Sequence, residues 1–225
     1  MPVSRARPEV VAFDVNETLL DLAPVRAALV EAGEPAAQLG TVFARTLLTG
    51  FAATTAGIWC PFRDAFDAAL AQESDLPADR RAVVADAFKE LAPHPDVEPT
   101  LRRLTGAGIR VVTLSHGSPG VAEAGLARGG ITPLVERTLS SEAIRAWKPS
   151  REAYLWAAGT CDVAPDRLAL VAAHGWDVLG AQRAGLTGAW FPRSERVYPA
   201  VYEPPHVSAA TLGGVVDAIL ALPSA

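Results

Sequence analysis

Apolar residues in this chain gather into short runs that each end on a polar or glycine-bearing tip. Val10-Val11-Ala12-Phe13 ends at Asp14. The run at 109–114 follows the turn residues Gly106 and Gly108 and ends at Ser115-His116-Gly117. Leu168-Ala169-Leu170-Val171 ends near His174-Gly175, and Gly188-Ala189-Trp190-Phe191 is stopped by Pro192. Short apolar runs bounded by turn residues predict buried parallel strands. Helical patterns lie between and after them, at 99–105, 121–128, 150–159, 178–184 and 215–222, and most are closed by glycine or proline. Strand-then-helix alternation predicts an α/β fold, a Rossmann-like doubly wound parallel sheet. Such sheets bind ligands outside the carboxyl ends of their strands, where the polar tips fall.

Residues 22–91 read differently. They are Ala-rich, with apolar positions at helical spacing: Val42, Leu47, Leu48 and Phe51, then Phe62, Phe66, Ala69 and Leu70. Pro93-His94-Pro95 and Pro99 mark a return to the α/β pattern. The expected organisation is a catalytic core of residues 1–21 and 92–225 with a helical cap at 22–91. There is no internal repeat, and 192–205 reads as irregular surface.

Composition narrows the function classes. A chain of 225 residues, half of them hydrophobic, is long enough to bury a core without staples. Its formal net charge of -5 and pI near 5.4 argue against nucleic-acid binding. An acidic surface also means that any anion site must be made positive locally. Cys60 and Cys161 cannot form a disulfide framework and match no metal spacing. The basic N-terminal stretch is followed by an apolar run too short for a signal sequence, and no run approaches a membrane span. A cytoplasmic protein with no membrane partner is expected.

The tips carry a recognisable order. Phe13-Asp14-Val15-Asn16-Glu17-Thr18-Leu19, then Leu114-Ser115-His116-Gly117, then Trp147-Lys148-Pro149, then Ala172-Ala173-His174-Gly175-Trp176-Asp177 resemble the four motifs of the haloacid dehalogenase superfamily. The resemblance spans most of the chain, and the helical segment falls where that superfamily places a cap. Phosphatases of the superfamily use Mg²⁺ and a second Asp two positions after the nucleophile. Here that position is Asn16, which cannot donate a proton as a carboxylic acid does. Ala173 stands at the usual first acidic position of the fourth motif, leaving a poor oxygen shell for Mg²⁺.

The pattern is similar to the type II 2-haloacid dehalogenases, which need neither metal nor cofactor. That resemblance implies Asp14 as a nucleophile forming an ester at C2 of a small 2-substituted carboxylic acid. It implies Lys148 as the charge that keeps Asp14 ionised and Asp177 as the carboxylate that holds Lys148 and positions water. Thr18 and Ser115 would orient Asp14 or the substrate carboxylate, and Tyr154 would hydrogen-bond within the site. Arg45, 31 residues after Asp14, would grip the leaving halide or the substrate. Val15, Asn16 and Trp176, which lie inside motifs, are expected to line the substrate site, and a homodimer is expected by analogy.

This chain also departs from that pattern. The dehalogenases usually carry Tyr-Gly where Asn16-Glu17 stand, Asn where His116 stands, and Ser and Asn where Ala172 and His174 stand. His116 would donate a charged hydrogen bond in a tighter leaving-group pocket, favouring fluoride. His174 would position or activate the hydrolytic water. Glu17 either caps the following helix or faces the pocket. Two related activities stay open, a C–N hydrolase such as azetidine-2-carboxylate hydrolase and a Mg²⁺ phosphatase. So does a non-catalytic binding protein.

Overall fold

The computed structural model describes residues 5–224; residues 1–4 and 225 of the expected core, and with them the start of the basic N-terminal stretch, lie outside the described residues. Six strands form one parallel sheet: β1 (Val10–Phe13), β4 (Arg110–Ser115), β5 (Arg137–Ser140), β6 (Leu168–Ala172), β7 (Thr187–Trp190) and β8 (Val207–Ser208). Their order across the sheet is β5-β4-β1-β6-β7-β8. Every residue of β1, β6 and β7 is buried, which is why these strands read as unbroken apolar runs rather than alternating ones. β1 lies at the centre with Phe13 opposite Thr113 on one side and Val171 on the other. The strand order reverses here, so the tips of β1, β4 and β6 converge on one crevice.

Helices α5 (Val97–Gly106), α6 (Pro119–Arg128), α7 (Arg151–Thr160), α8 (Gly175–Arg183) and α9 (Leu212–Leu220) connect or follow these strands. Two buried apolar clusters separate by strand alternation: Val11 and Phe13 join one, Val10 and Ala12 the other. β5 and β8 were not foreseen. β5 is the mixed sequence Arg-Thr-Leu-Ser at an edge, and β8 is two residues long and falls just after the stretch read as irregular.

Between β2 (Leu20–Asp21) and β3 (Ala92–Pro93), which pair antiparallel, the chain forms α1 (Ala23–Glu31), α2 (Gln38–Thr55), α3 (Phe62–Glu73) and α4 (Ala78–Asp86). Val42, Phe62, Phe66, Ala69 and Leu70 are buried, whereas Leu48 turns to solvent at 57% exposure. Among the described residues no helix is long and apolar enough to cross a membrane.

Candidate active site

The ladder of β1 continues one residue past the strand, where the Asp14 N–H donates to the Val171 carbonyl at 3.1 Å. The chain then turns back sharply. Leu19 and Leu20 both donate to the Val15 carbonyl at 2.9 Å, and Glu17 takes a left-handed conformation at φ 61°. This turn brings Thr18 back to the strand tip. Its hydroxyl donates to Asp14 Oδ2 at 2.7 Å and accepts from the Ala173 N–H at 3.0 Å. One hydroxyl therefore fixes both the carboxylate and the adjacent tip of β6.

Lys148 enters from the loop before α7 and is fully buried. Its ammonium donates to Asp14 Oδ1 at 2.9 Å, Asp177 Oδ2 at 2.6 Å and the Leu114 carbonyl at 2.9 Å. All three donors are thus used, which is what a buried ammonium requires. Asp177, in the first turn of α8, also accepts from the Tyr154 hydroxyl at 2.6 Å through Oδ1. Gly180 permits this approach, since a Cβ there would lie 2.5 Å from the Tyr154 hydroxyl oxygen. Burial pushes the Tyr154 phenol well above its ordinary 10, so it stays a donor.

Burial alone would raise the Asp14 carboxyl. The Lys148 charge and the His174 hydrogen bond outweigh it and hold the group well below the carboxylate range. Lys148 is pulled down by burial and up by Asp14 and Asp177, with the net direction upward. Both groups are therefore ionised at neutral pH.

A Mg²⁺ centre does not fit these side chains. The Lys148 ammonium already bridges the Asp14 and Asp177 carboxylates, and residue 173 contributes an alanine methyl. Among the described residues no group of three or more His, Cys, Asp and Glu forms a metal-binding set.

The two histidines differ in charge. His174 places Nδ1 3.1 Å from Asp14 Oδ2 and Nε2 3.0 Å from Glu17 Oε2. Burial lowers the affinity of its ring for a proton, but hydrogen bonds to both carboxylates carry it up to about 10. With a carboxylate at each ring nitrogen, the expected roles divide: this geometry suits a donor that positions more than a base that takes a proton from water. His116 is held well below its ordinary 6.5 by burial and by the Lys148 charge. That direction favours the neutral ring over the charged donor expected from the sequence. Its Nδ1 lies 3.5 Å from the Ser141 hydroxyl, while its buried Nε2 makes no hydrogen bond among the described residues.

Trp176 stacks between the two imidazoles, with ring centroids 5.6 Å from His116 and 5.5 Å from His174. Trp147 closes on His116 at 4.4 Å, Phe43 of α2 covers His174 at 6.2 Å, and Phe51 of α2 meets Trp176 edge-on at 5.1 Å. A cavity of about 500 Å³ opens beside this aromatic layer. Val15, Asn16, Ser115 and the first turn of α6 line it together with Phe62, Phe66 and Phe88, whereas Asp14, Lys148, His116 and His174 are not among its lining residues.

Eleven of the twelve expected residues fall in or next to this region, though Ser115 donates to the Gly117 carbonyl at 3.1 Å rather than to Asp14. Arg45 does not. It is 43% exposed and pairs with Glu73 of α3 at 2.8 Å. Phe43, two residues earlier, faces the site, and two residues along a helix turn about 200°, so Arg45 points the opposite way. Sequence reasoning missed Phe43, Phe51, Ser141 and Glu195, whose carboxylate accepts from the Gly175 N–H at 2.8 Å. None lies within a motif. Glu17, open to two readings in the sequence, has its carboxylate 3.0 Å from His174 Nε2.

Comparison with known proteins agrees with this fold. An (S)-2-haloacid dehalogenase from Pseudomonas sp. (strain YL) is 28% identical over 64% of this chain and 62% of its own length. A second, (S)-2-haloacid dehalogenase 1 from Pseudomonas sp. (strain CBS-3), is 27% identical over 82% of this chain and 80% of its own. The chain thus matches somewhat under two thirds of the first of these relatives. The structure of L-2-haloacid dehalogenase from Xanthobacter autotrophicus superposes with a TM-score of 0.86, covering 96% of this chain and 99% of that one at 22% identity. The family model for haloacid dehalogenase-like hydrolases matches residues 8–185, and the chain belongs to that family.

Proposed function

We propose that this protein hydrolyses a short 2-haloacid to the 2-hydroxyacid through an ester on Asp14, without a metal, and that the α1–α4 segment caps the site. The observation that carries this reading is the Lys148 ammonium lodged between the Asp14 and Asp177 carboxylates. It supplies the charge that keeps a buried carboxylate nucleophilic. Oδ1 of Asp14 has one donor and Oδ2 has two, which leaves Oδ1 freer to attack. Oδ1 bonds to C2 as the carbon–halogen bond breaks and the halide leaves with the bonding pair. Water then adds to the Asp14 Cγ, and the Cγ–Oδ1 bond breaks. One water proton ends on the product hydroxyl and the other is released, with Asp177 as its first acceptor.

The cavity supports a small organic acid, since its size lies at the lower end of ligand sites. With Arg45 turned away, the first turn of α6 is the best place for the substrate carboxylate, because its N–H groups favour an anion. The unpartnered His116 Nε2 supports a halide contact, and its crowding by Trp147 and Trp176 favours a small halide, so fluoroacetate is a candidate substrate. The ammonium of an azetidine acid would want a free carboxylate, and Glu17 is engaged by His174.

The test is single turnover in ¹⁸O-water over a panel of fluoroacetate, chloroacetate, 2-chloropropionate and azetidine-2-carboxylate, with and without EDTA. Label entering Asp14, with EDTA leaving the rate unchanged, is expected. Label appearing only in the product, or loss of activity on chelation, would overturn the reading. Faster turnover of chloroacetate than of fluoroacetate would remove the fluoride preference alone.

A further inference from the structure

Two departures from the dehalogenase pattern, Glu17 and His174, meet in space although 157 residues separate them in sequence. The imidazole bridges two carboxylates, Asp14 through Nδ1 and Glu17 through Nε2. A neutral ring carries one N–H and would turn a lone pair toward one of these anions; only the imidazolium donates at both ends. Other groups facing or near the ring do not compete for it. Phe43 and Trp176 cover its faces, His116 is neutral behind Trp176, Lys148 is engaged by Asp14, Asp177 and Leu114, and Glu195 is bonded to the Gly175 N–H.

The ester reading gives this arrangement a purpose. When Oδ1 is alkylated, Asp14 loses its charge, and Glu17 becomes the one carboxylate left on the His174 ring. Oδ2 becomes the ester carbonyl oxygen, still facing the Thr18 hydroxyl and His174 Nδ1–H. We propose that Thr18 and His174 form the oxyanion site for hydrolysis of the Asp14 ester, and that Glu17 is the positioning residue that keeps His174 charged and aimed through that step. As water adds to Cγ, the carbonyl π pair moves onto Oδ2 and is stabilised by these two donors. It returns when Cγ–Oδ1 breaks and the alkoxide takes a proton. His174 keeps its own proton throughout.

The inference rests on the ester reading, and rapid-quench mass spectrometry of the full chain with 2-chloropropionate separates the two. In Glu17→Gln, alkylated enzyme is expected to accumulate, because ester breakdown slows about a hundredfold while ester formation changes by only a few fold. The breakdown rate should also begin to fall at a lower pH than in the wild type, and Glu17→Asp should recover part of the loss. Nitrogen NMR of the resting wild-type protein should show His174 doubly protonated through pH 8. Ester breakdown as fast in Glu17→Gln as in the wild type, or a neutral His174 at pH 7, would overturn the proposal while leaving the ester reading in place. Failure to detect any ester in the wild type would overturn both.

Discussion

At the residue scale, the energetics centre on a lysine with no access to water. The Lys148 ammonium is offset by two carboxylates and a carbonyl, and each carboxylate is in turn held by a hydroxyl, Thr18 for Asp14 and Tyr154 for Asp177. Lys148→Met would remove the cation and leave two buried carboxylates facing each other, a change that costs on the order of 3–5 kcal/mol. One of the two would then bind a proton more tightly in the folded chain than in the unfolded one. The loss should therefore be greatest at neutral pH and shrink as pH falls through that raised value. Denaturant melts of the variant between pH 7 and pH 5 check the sign, and a loss that grows on acidification would contradict it. Turnover should fall at least about a thousandfold, since Asp14 would no longer be held ionised.

At the element scale, helical phase decides which residues of α2 take part. Phe43 and Phe51 face the aromatic layer, while Arg45 lies on the far face against Glu73. Exposed pairs of this kind contribute little, so Arg45→Ala should leave kcat and KM within about twofold and stability nearly unchanged. A tenfold rise in KM would mean that the helix turns on binding. This residue also marks where reading the sequence stops. The four apolar runs are strands in the structure, because strands buried on both faces leave an unmistakable signature. The polar residue at a strand tip follows from topology, which picks out Asp14, whereas Lys148 and Asp177, in a loop and a helix turn, were legible only through the family resemblance. Spacing of 31 residues matched Arg45 to a family position but carried no information about the direction of its helix face. β5 and β8 stayed hidden because mixed or two-residue edge strands show no period. The meeting of Glu17 with His174 was equally invisible, since it depends on the turn after β1 and not on either residue alone.

At the scale of the whole molecule, one contact between the α1–α4 segment and the core runs through Trp147. The Trp147 indole N–H donates to the Cys60 carbonyl at 2.8 Å, and its backbone N–H donates to the Thr54 hydroxyl at 3.0 Å. Its ring lies flat against Gly50, where a Cβ would come within 2.2 Å of it. Gly50→Ala would force the indole and α2 apart, at a cost of about 1–3 kcal/mol. Both the melting temperature and turnover should fall, and a variant that loses stability while keeping wild-type kcat would show that the contact is merely structural. The residue that follows this tryptophan is Lys148. The packing of α2 and the placing of the buried ammonium are thus linked through two neighbouring residues, so a change that shifts this helix bears directly on the peptide that carries the charge.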